Sequence, residues 1–435
     1  MLNKRVLYSV VFIAVWFQLS CSREDPNFGN DSTTTAKKSS TEDSKSSVLN
    51  PDGAPSQNSV KVTAGNENLK PVDPGYADPT KDSAATLDQL ARLPKVGMLV
   101  NNIECGLCHV DVKGDVVSTR EVTPPRSDSE SHVSGRWLAA DNFDASAWVT
   151  ADKGIFANYS GHELPLDLHN TGHPEFPVID FAALPAKVSG NILGANGIKV
   201  DKVASSNIIL TGTQSNPILI SGDIYIIGDA VISGYYQGNG TIYASGNIYL
   251  PGDLRAMRTA FPYPLDPAAA LLVANDLVKN RNTDSLGIAS AKSILIADLE
   301  STIYSHPSTP LNRTAAALGV RDVYAWYPGG KTEYDKLYID SFGCNGAQPH
   351  GGFNMIESFL YARNSVAGIS RQASFTIRGG VIADYLHIIS GALNCPSTLS
   401  PVHGLPQNRS YIEYDYRMQT GLLKILENVA AAFPK

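Results

Sequence analysis

From about residue 186 onward, short runs of apolar and β-branched residues alternate with turns made of glycine and aspartate or asparagine. The clearest run extends over residues 218–234 and continues over 240–253. Such runs are typical of short buried β-strands, because glycine and aspartate favour the turns that separate strands. Weaker runs of the same kind follow at residues 287–297, 357–368 and 375–389. The pattern predicts a mainly β fold for residues 186–435.

An internal repeat indicates the kind of β fold. Segment 222–229 returns 24 positions later as 246–253, with glycine, aspartate or asparagine, and apolar residues in a similar order. A period of about this length is typical of one coil of a β-solenoid, whose coils must stack to bury their apolar side chains. We therefore expect a right-handed parallel β-helix. A β-sandwich is the alternative, since its short strands also recur with turns.

Two helices are predicted beside these strands. Asp266 and Pro267 form a typical helix start, and an apolar, helical pattern continues over 268–281. A second helix, over 419–432, carries apolar residues at helical spacing. We expect this helix to cap the last coil, because an open solenoid end exposes strand edges.

The first twenty residues have the pattern of an export signal. Lys4 and Arg5 precede an apolar run over 6–17, which is too short for an ordinary membrane-spanning helix. The sequence Gln-Leu-Ser-Cys that follows resembles the lipobox of bacterial lipoproteins, although Gln18 stands where leucine is usual. Residues 1–20 are thus predicted to be a lipoprotein-type signal peptide, with Cys21 as the lipidated residue. Plain secretion and an uncleaved anchor are the alternatives.

Residues 21–95 are predicted to be a disordered tether. They are rich in Ser, Thr, Asp, Lys, Asn and Pro, and such a composition buries too little apolar surface to offset the loss of chain entropy. Acyl chains on Cys21 would anchor this tether stably in a membrane. Ser22 follows the cysteine, which by the rule of enteric bacteria favours the outer membrane. We expect an exported protein, anchored by lipid at the outer membrane or the cell surface.

Charge and missing motifs exclude several functions. The formal net charge of −7 disfavours a nucleic-acid partner. The sequence contains no Gly-x-Ser-x-Gly, no phosphate-binding loop and no His-Glu-x-x-His. Parallel β-helices include enzymes that act on polysaccharides, so Asp223, Asp229 and Asp253 could line a sugar cleft. As turn-forming residues, the three aspartates need no such role.

Five cysteines bear on the compartment and on cross-links. If Cys21 carries lipid, four remain, and an even number outside the cytoplasm suggests disulfides. Cys344 and Cys395 both lie in loop-like surroundings rich in Gly, Asn or Pro, and they are the predicted disulfide partners.

Cys105, Cys108 and His109 form a Cys-x-x-Cys-His motif in a predicted small N-terminal region, 96–185. This spacing is the attachment sequence of haem c, in which two thioethers hold the haem and the histidine binds its iron. An alternating strand pattern over 109–117, where small cytochromes have a helix, favours a disulfide between the two cysteines. Zinc is the third interpretation. Candidate further ligands of the iron are Met98, His132, His162, His169 and His173, and the last three are also candidates for zinc.

Strand-rich segments across the chain resemble exported β-helical bacterial proteins, among them pilus-associated C-terminal domains and bactofilin-like, polymer-forming proteins. The segments are 218–253, 359–362, 379–383 and 411–415. The resemblance implies a structural or binding role through a β-helix surface and supplies no catalytic residues. Expected partners are the membrane, through the lipid, and a cell-wall polymer, an envelope protein or a second copy of the chain. A haem c electron-transfer lipoprotein is the alternative, and a carbohydrate-active enzyme is the third possibility.

Overall fold

The structure is a computed structural model, and its described residues all lie in the unit Lys61–Lys435. They are 96–103, 110–119, 131–139, 149–156, 176–258, 272–277, 283–297, 322–342, 353–370, 374–390, 410–417, 423 and 425. The predicted signal peptide and tether lie outside them.

Most of the described residues are in β-strands, which confirms the prediction of a mainly β fold. The strands are β1 (Val96–Ile103), β2 (Val110–Lys113), β3 (Asp115–Ser118), β4 (Ser131–Val133), β5 (Trp137–Ala139), β6 (Val149–Ala151), β7 (Ile155–Phe156), β8 (Asn191–Leu193), β9 (Lys199–Asp201), β10 (Val203–Ala204), β11 (Ile208–Gly212), β12 (Ile218–Ser221), β13 (Ile224–Ile226), β14 (Ala230–Ala244), β15 (Ile248–Leu250), β16 (Leu254–Ala256), β17 (Ser285–Ser290), β18 (Ile294–Ala297), β19 (Phe353–Ser370), β20 (Ser374–Ser390) and β21 (Ser410–Tyr414).

Helices are short in the described part of the chain. They are α1 (272–277), α2 (Asp322–Trp326), α3 (Gly330–Phe342) and the 3-10 turn Leu184–Ala186, and residues 416–417 are also 3-10 helical. Helix α1 lies within the predicted helix 268–281 and confirms its described part. Helices α2 and α3 have no counterpart in the sequence-based expectations.

Parallel pairing arranges the strand segments in three columns. Column 1 contains 208–212, 230–234, 248–250, 294–297, 366–369, 385–389 and 102–103. Column 2 contains 218–221, 236–239, 254–256, 353–357, 374–378, 410–413, 110–113, 131–133 and 149–151. Column 3 contains 203–204, 224–226, 242–244, 287–290, 359–362, 380–383, 98–100, 116–118, 137–139 and 155–156.

The separation between paired strands differs from the 24-residue repeat of the sequence. Ile224 pairs with Ile242, and Ala230 pairs with Ile248, so both neighbours lie 18 positions apart. Glycine recurs every six residues here, at 222, 228, 234, 240, 246 and 252. Three such steps return the chain to the same column, whereas the sequence repeat spans four. The repeat therefore aligns a corner that follows column 2 with a corner that follows column 3.

One apolar core runs inside the three columns. Ile232 of column 1, Leu254 of column 2 and Ile242 of column 3 are all fully buried in it. The corner at Gly234 shows why glycine is required. Its φ is +94°, and a Cβ there would lie 1.8 Å from the carbonyl oxygen of Gly212 in the neighbouring coil.

The amino-terminal strands extend the columns beyond the last carboxyl-terminal strands. Met98 of β1 pairs with Val381 of β20, and Val112 of β2 pairs with Ile412 of β21. Strands β3 to β7 then continue columns 2 and 3. Residues on both sides of the predicted boundary at 185/186 thus belong to one sheet.

Pairing also closes a ring and changes direction at one end of the columns. Strands β14, β15, β18, β19 and β17 form a closed five-stranded ring of parallel pairs. At the opposite end from β7, strand β8 pairs antiparallel with both β12 and β9. An antiparallel strand ends the parallel stacking there.

Two columns are covered on their outer side. Ile179, Phe181 and Leu184 pack in one cluster with outward residues of column 3 such as Tyr243 and Leu138. Leu423 and Ile425, the described residues of the predicted capping helix 419–432, belong to the same lateral cluster. Helices α2 and α3 cover the outer side of column 1. Tyr334 of α3 contacts Tyr249 there edge-on, with ring centroids 6.3 Å apart.

Candidate functional surface

Most residues of the predicted sites lie outside the described part of the chain. They are Cys21, Cys105, Cys108, His109, His162, His169, His173, Cys344 and Cys395. Lipidation, haem attachment, the disulfides and a zinc site therefore stay predictions.

Two of the candidate iron ligands, Met98 and His132, lie among the described residues. Met98 is fully buried in the apolar core. His132 is partly exposed, and its Nε2 lies 2.8 Å from Asp152 Oδ1. In sequence, the Cys-x-x-Cys-His motif lies between β1, which ends at Ile103, and β2, which begins at Val110.

The three aspartates considered for a sugar cleft each bind a backbone N–H of a neighbouring coil. Asp223 Oδ1 accepts from Thr241 N at 2.9 Å, and Asp229 Oδ1 accepts from Asn247 N at 2.7 Å. Asp253 Oδ1 accepts from the N–H of Met355 at 2.9 Å. Asp111 and Asp115 make the same kind of contact, with the N–H groups of His132 and Arg136. These contacts give backbone N–H groups along the columns a side-chain acceptor.

A row of alternating charges runs along the outer side of column 2. Lys113, Glu413, Arg378 and Glu357 occupy the same register position on four successive coils, and we call them the charge ladder. Lys113 Nζ lies 2.6 Å from Glu413 Oε1. Arg378 bridges the two glutamates, with Nε 3.1 Å from Glu413 and Nη1 3.0 Å from Glu357. Like charges would meet if either end of the ladder slipped by one coil.

The two glutamates of the ladder have pKa values shifted in opposite directions. Burial opposes ionisation of Glu413, but the positive charges of Arg378 and Lys113 outweigh burial and lower its pKa. Burial dominates at Glu357, whose pKa is raised in spite of Arg378 and the N–H of Ala256. The pKa of Arg378 is raised because its two carboxylate neighbours outweigh its burial.

A second ionic cluster lies beside the ladder and is more deeply buried. Arg417 Nε lies 2.8 Å from Asp415 Oδ2, and Arg417 Nη1 donates to the carbonyl oxygen of Asp284 at 2.6 Å and to Thr283 Oγ1. The Asp284 carboxylate pairs with Arg258. Tyr236 lies within reach of these charges and is fully buried, and burial raises its pKa well above its usual range. Since each ion faces an opposite charge, the cluster joins coils without a net buried charge.

Sequence reasoning did not find the charge ladder. Glu357 and Arg378 are 21 positions apart, and Lys113 and Glu413 are 300 apart. Only the strand register reveals that the four residues are neighbours. The alternation of sign favours this order of strands, because pairing that skipped one strand of the ladder would place like charges opposite one another.

Comparisons with protein-family models, curated proteins and solved structures find no match to the chain. Within the described ranges, no three His, Cys, Asp or Glu residues are grouped so that they could hold a metal ion. Among those same residues, none of the helices has the length and apolar character needed to cross a membrane.

Proposed function

We propose that this chain is an exported, lipid-anchored protein of the cell envelope with a structural or binding role through the surface of a right-handed β-helix. The observation that carries the proposal is the continuous apolar core lined by three columns of parallel strands. The columns would be the three sides of the helix. Strands β14 and β19 contribute segments to more than one column, which would account for the five-stranded ring.

The right-handedness of the proposed β-helix is based on a general rule for connections between parallel strands. A strand that returns to pair with a parallel neighbour in the same sheet does so with a right-handed crossover in about 98% of cases. Each coil of a β-helix is a crossover of this kind. The lipid anchor at Cys21 and the export signal before it remain part of the proposal, and they rest on the sequence alone.

The contacts of the acidic residues favour a structural role over catalysis. Each of Asp223, Asp229 and Asp253 is engaged by a backbone N–H, and Glu357 and Glu413 are both bound to Arg378. These bonds hold the carboxylates as parts of the stack. We therefore assign no catalytic role to them, and a rigid surface for a wall polymer, an envelope protein or a second copy is the function that these contacts favour.

The test combines co-sedimentation and sizing of the mature full-length protein. The folded protein is expected to sediment with purified wall polymer, to retain an envelope protein, or to form a defined oligomer by light scattering. A matched variant, Ile242→Asp, places a charge in the core and is expected to lose these properties together with its β-sheet circular dichroism. A strictly monomeric wild-type protein that binds neither polymer nor any envelope protein would contradict the proposal.

The second candidate is an electron-transfer lipoprotein that carries haem c. This function is suggested by the spacing of Cys105, Cys108 and His109 in a chain with only five cysteines. The cysteines would hold the haem covalently, and His109 would bind its iron.

A further inference from the structure

The junction between the amino-terminal and carboxyl-terminal strands differs from every other junction between described coils. Met98 and Val381 are paired although 283 positions separate them, whereas Ile224 and Ile242 are 18 positions apart. Insertions lengthen some other connections, such as the one between Leu254 and Ile356, but to far smaller separations. Closing a longer loop costs more chain entropy, so this junction is the least favoured to form early.

One coil at this junction is built from two distant parts of the chain. Strand β20 pairs with β1 in columns 1 and 3, and it pairs with β21 in column 2. Strand β1 then carries β3, and β21 carries β2. Neither β1 nor β21 alone completes the turn that supports the following coil.

We propose that strands β1 to β7 form a docking unit that separates from the edge of β20 and β21 as one body, while the remaining columns stay paired. The docking unit is small, since it comprises only β1 and the coils of β2 to β7. A few coils bury too little apolar surface to be stable alone and depend on the neighbouring coil. The unit therefore opens at lower free energy than the strands between β11 and β20.

Specific polar contacts hold the docking unit in place and make the junction selective. Asn101 Nδ2 donates to Asp384 Oδ1 at 2.6 Å, and Lys113 pairs with Glu413. Lys113 is 47% exposed, so it contributes a charge that can be changed without disturbing the apolar core. The first of these contacts lies beside columns 1 and 3, and the second lies on column 2.

The docking unit is synthesised before the edge that receives it, because its strands lie at 96–156 and the edge lies at 374–414. The junction cannot form until the residues up to 414 are available. For a chain exported with its amino terminus first, as in the proposed function, this order delays completion of the fold until after translocation.

Hydrogen exchange of the full-length protein, followed by mass spectrometry in increasing urea, tests the proposal. Amides of β1 to β5 are expected to exchange through one shared opening at lower urea than amides of β13 to β15. Lys113→Glu, which places two glutamates side by side, should speed exchange of the docking unit about tenfold without a change at β13 to β15. Lys199→Glu, on exposed strand β9 at the opposite end, is the matched control and should leave the docking unit unchanged.

Two results would overturn the proposal. One is that β1 to β5 and β13 to β15 exchange together at every urea concentration in the wild-type protein. The other is that Lys113→Glu speeds exchange equally in both regions. If Lys113→Glu does not fold, Asn101→Asp keeps an acceptor oxygen for the Thr119 hydroxyl, replaces the donor to Asp384 with a like charge, and gives the same comparison. Neither result depends on export or on a lipid anchor, so the proposed function can fail while this inference stands.

Discussion

Lys113 Nζ and Glu413 Oε1 lie 2.6 Å apart, although 300 positions separate the two residues in the sequence. The pair joins an amino-terminal strand to a carboxyl-terminal strand and forms one end of the charge ladder on column 2. Arg378 and Glu357 continue the ladder into the following coils. The ladder thus links two parts of the fold. The strands from β11 to β20 were clearly indicated by the sequence, whereas the position of β2, which carries Lys113, was not.

Removing the Glu413 carboxylate is expected to destabilise the fold. Glu413→Gln leaves Arg378 and Lys113 without the negative charge that they share, and we expect a loss of about 1–3 kcal/mol in the free energy of unfolding. The control is Glu333→Gln, which disrupts an exposed pair with Lys336 on α3 and should cost less than about 0.5 kcal/mol. Urea unfolding at pH 7 measures both. Equal losses would contradict a special role for the ladder.

The two glutamates should have opposite effects on the pH dependence of stability. The pKa of Glu413 is lowered on folding, so its stabilising contribution is present above its unfolded value and is lost as the pH falls through the lowered pKa. The pKa of Glu357 is raised on folding, so stability declines as the pH rises from 4.5 through the raised pKa.

Unfolding at a series of pH values separates these contributions. Glu413→Gln should flatten the loss of stability on the acid side of pH 4.5, and Glu357→Gln should flatten the decline on the alkaline side. The difference curves between each variant and the wild type should therefore slope in opposite directions. Slopes of the same sign would show that burial and the neighbouring charges have been assigned wrongly.

The corner aspartates should act as acceptors of backbone hydrogen bonds, and their charge should matter little. Asp223→Ala leaves the Thr241 N–H without its acceptor and should cost about 1–2 kcal/mol of stability. Asp223→Asn keeps an acceptor oxygen and should cost much less. Asn247 already accepts the N–H of Ser293 at a comparable corner. Thermal unfolding of both variants checks this, and an equal loss in the two would show that the charge is required.

Lipid anchoring is expected to depend on Cys21 alone. Cys21→Ala should prevent acylation and move the protein out of the membrane fraction. Cys21→Ser serves as the second variant, because it keeps the size of the side chain but also lacks the thiol. Fractionation and the mass of the amino-terminal peptide provide the measurement. A lipoprotein would be ruled out by a variant that stays in the membrane and whose amino-terminal peptide differs in mass from the wild type only by the substitution.

One preparation of the protein distinguishes two interpretations of the Cys-x-x-Cys-His motif, a disulfide and haem c. Protein from a host with haem-attachment machinery is expected to be colourless, with Cys105 and Cys108 alkylated only after reduction. That result identifies a disulfide. A Soret band that survives denaturation would identify haem c instead, because thioethers are covalent. In that case Cys105→Ser combined with Cys108→Ser should abolish the colour.

The strands of columns 1 to 3 between 208 and 297 were predictable because their signals are local. Apolar runs such as 218–220 and 224–227, separated by Gly222 and Asp223, indicate both the strands and the corner between them. The spacing between paired strands was not predicted correctly. Similar corners recur every six residues, so a sequence repeat over four corners looks like a return to the same column, which in fact takes three.

The position of the amino-terminal strands was not predictable from such signals. The run 110–117 indicates a strand, but nothing in its sequence shows that Val112 lies beside Ile412. The same limit applies to the charge ladder, since four charged residues spread over the chain look like ordinary surface residues. Long-range register decides both features, and it depends on how whole coils stack.

The distance between its two ends tests most directly whether one stack of strands extends from β10 through β20 to β7. Spin labels introduced with non-canonical amino acids at Lys153, beside β7, and at Lys199, in β9, leave the native cysteines untouched. Column 3 has nine strand spacings between Val203 and Phe156, each about 4.8 Å. Double electron–electron resonance should therefore give a single narrow distribution centred at roughly 45 Å. A broad distribution, or a main distance below about 30 Å, would contradict a continuous stack on this spacing.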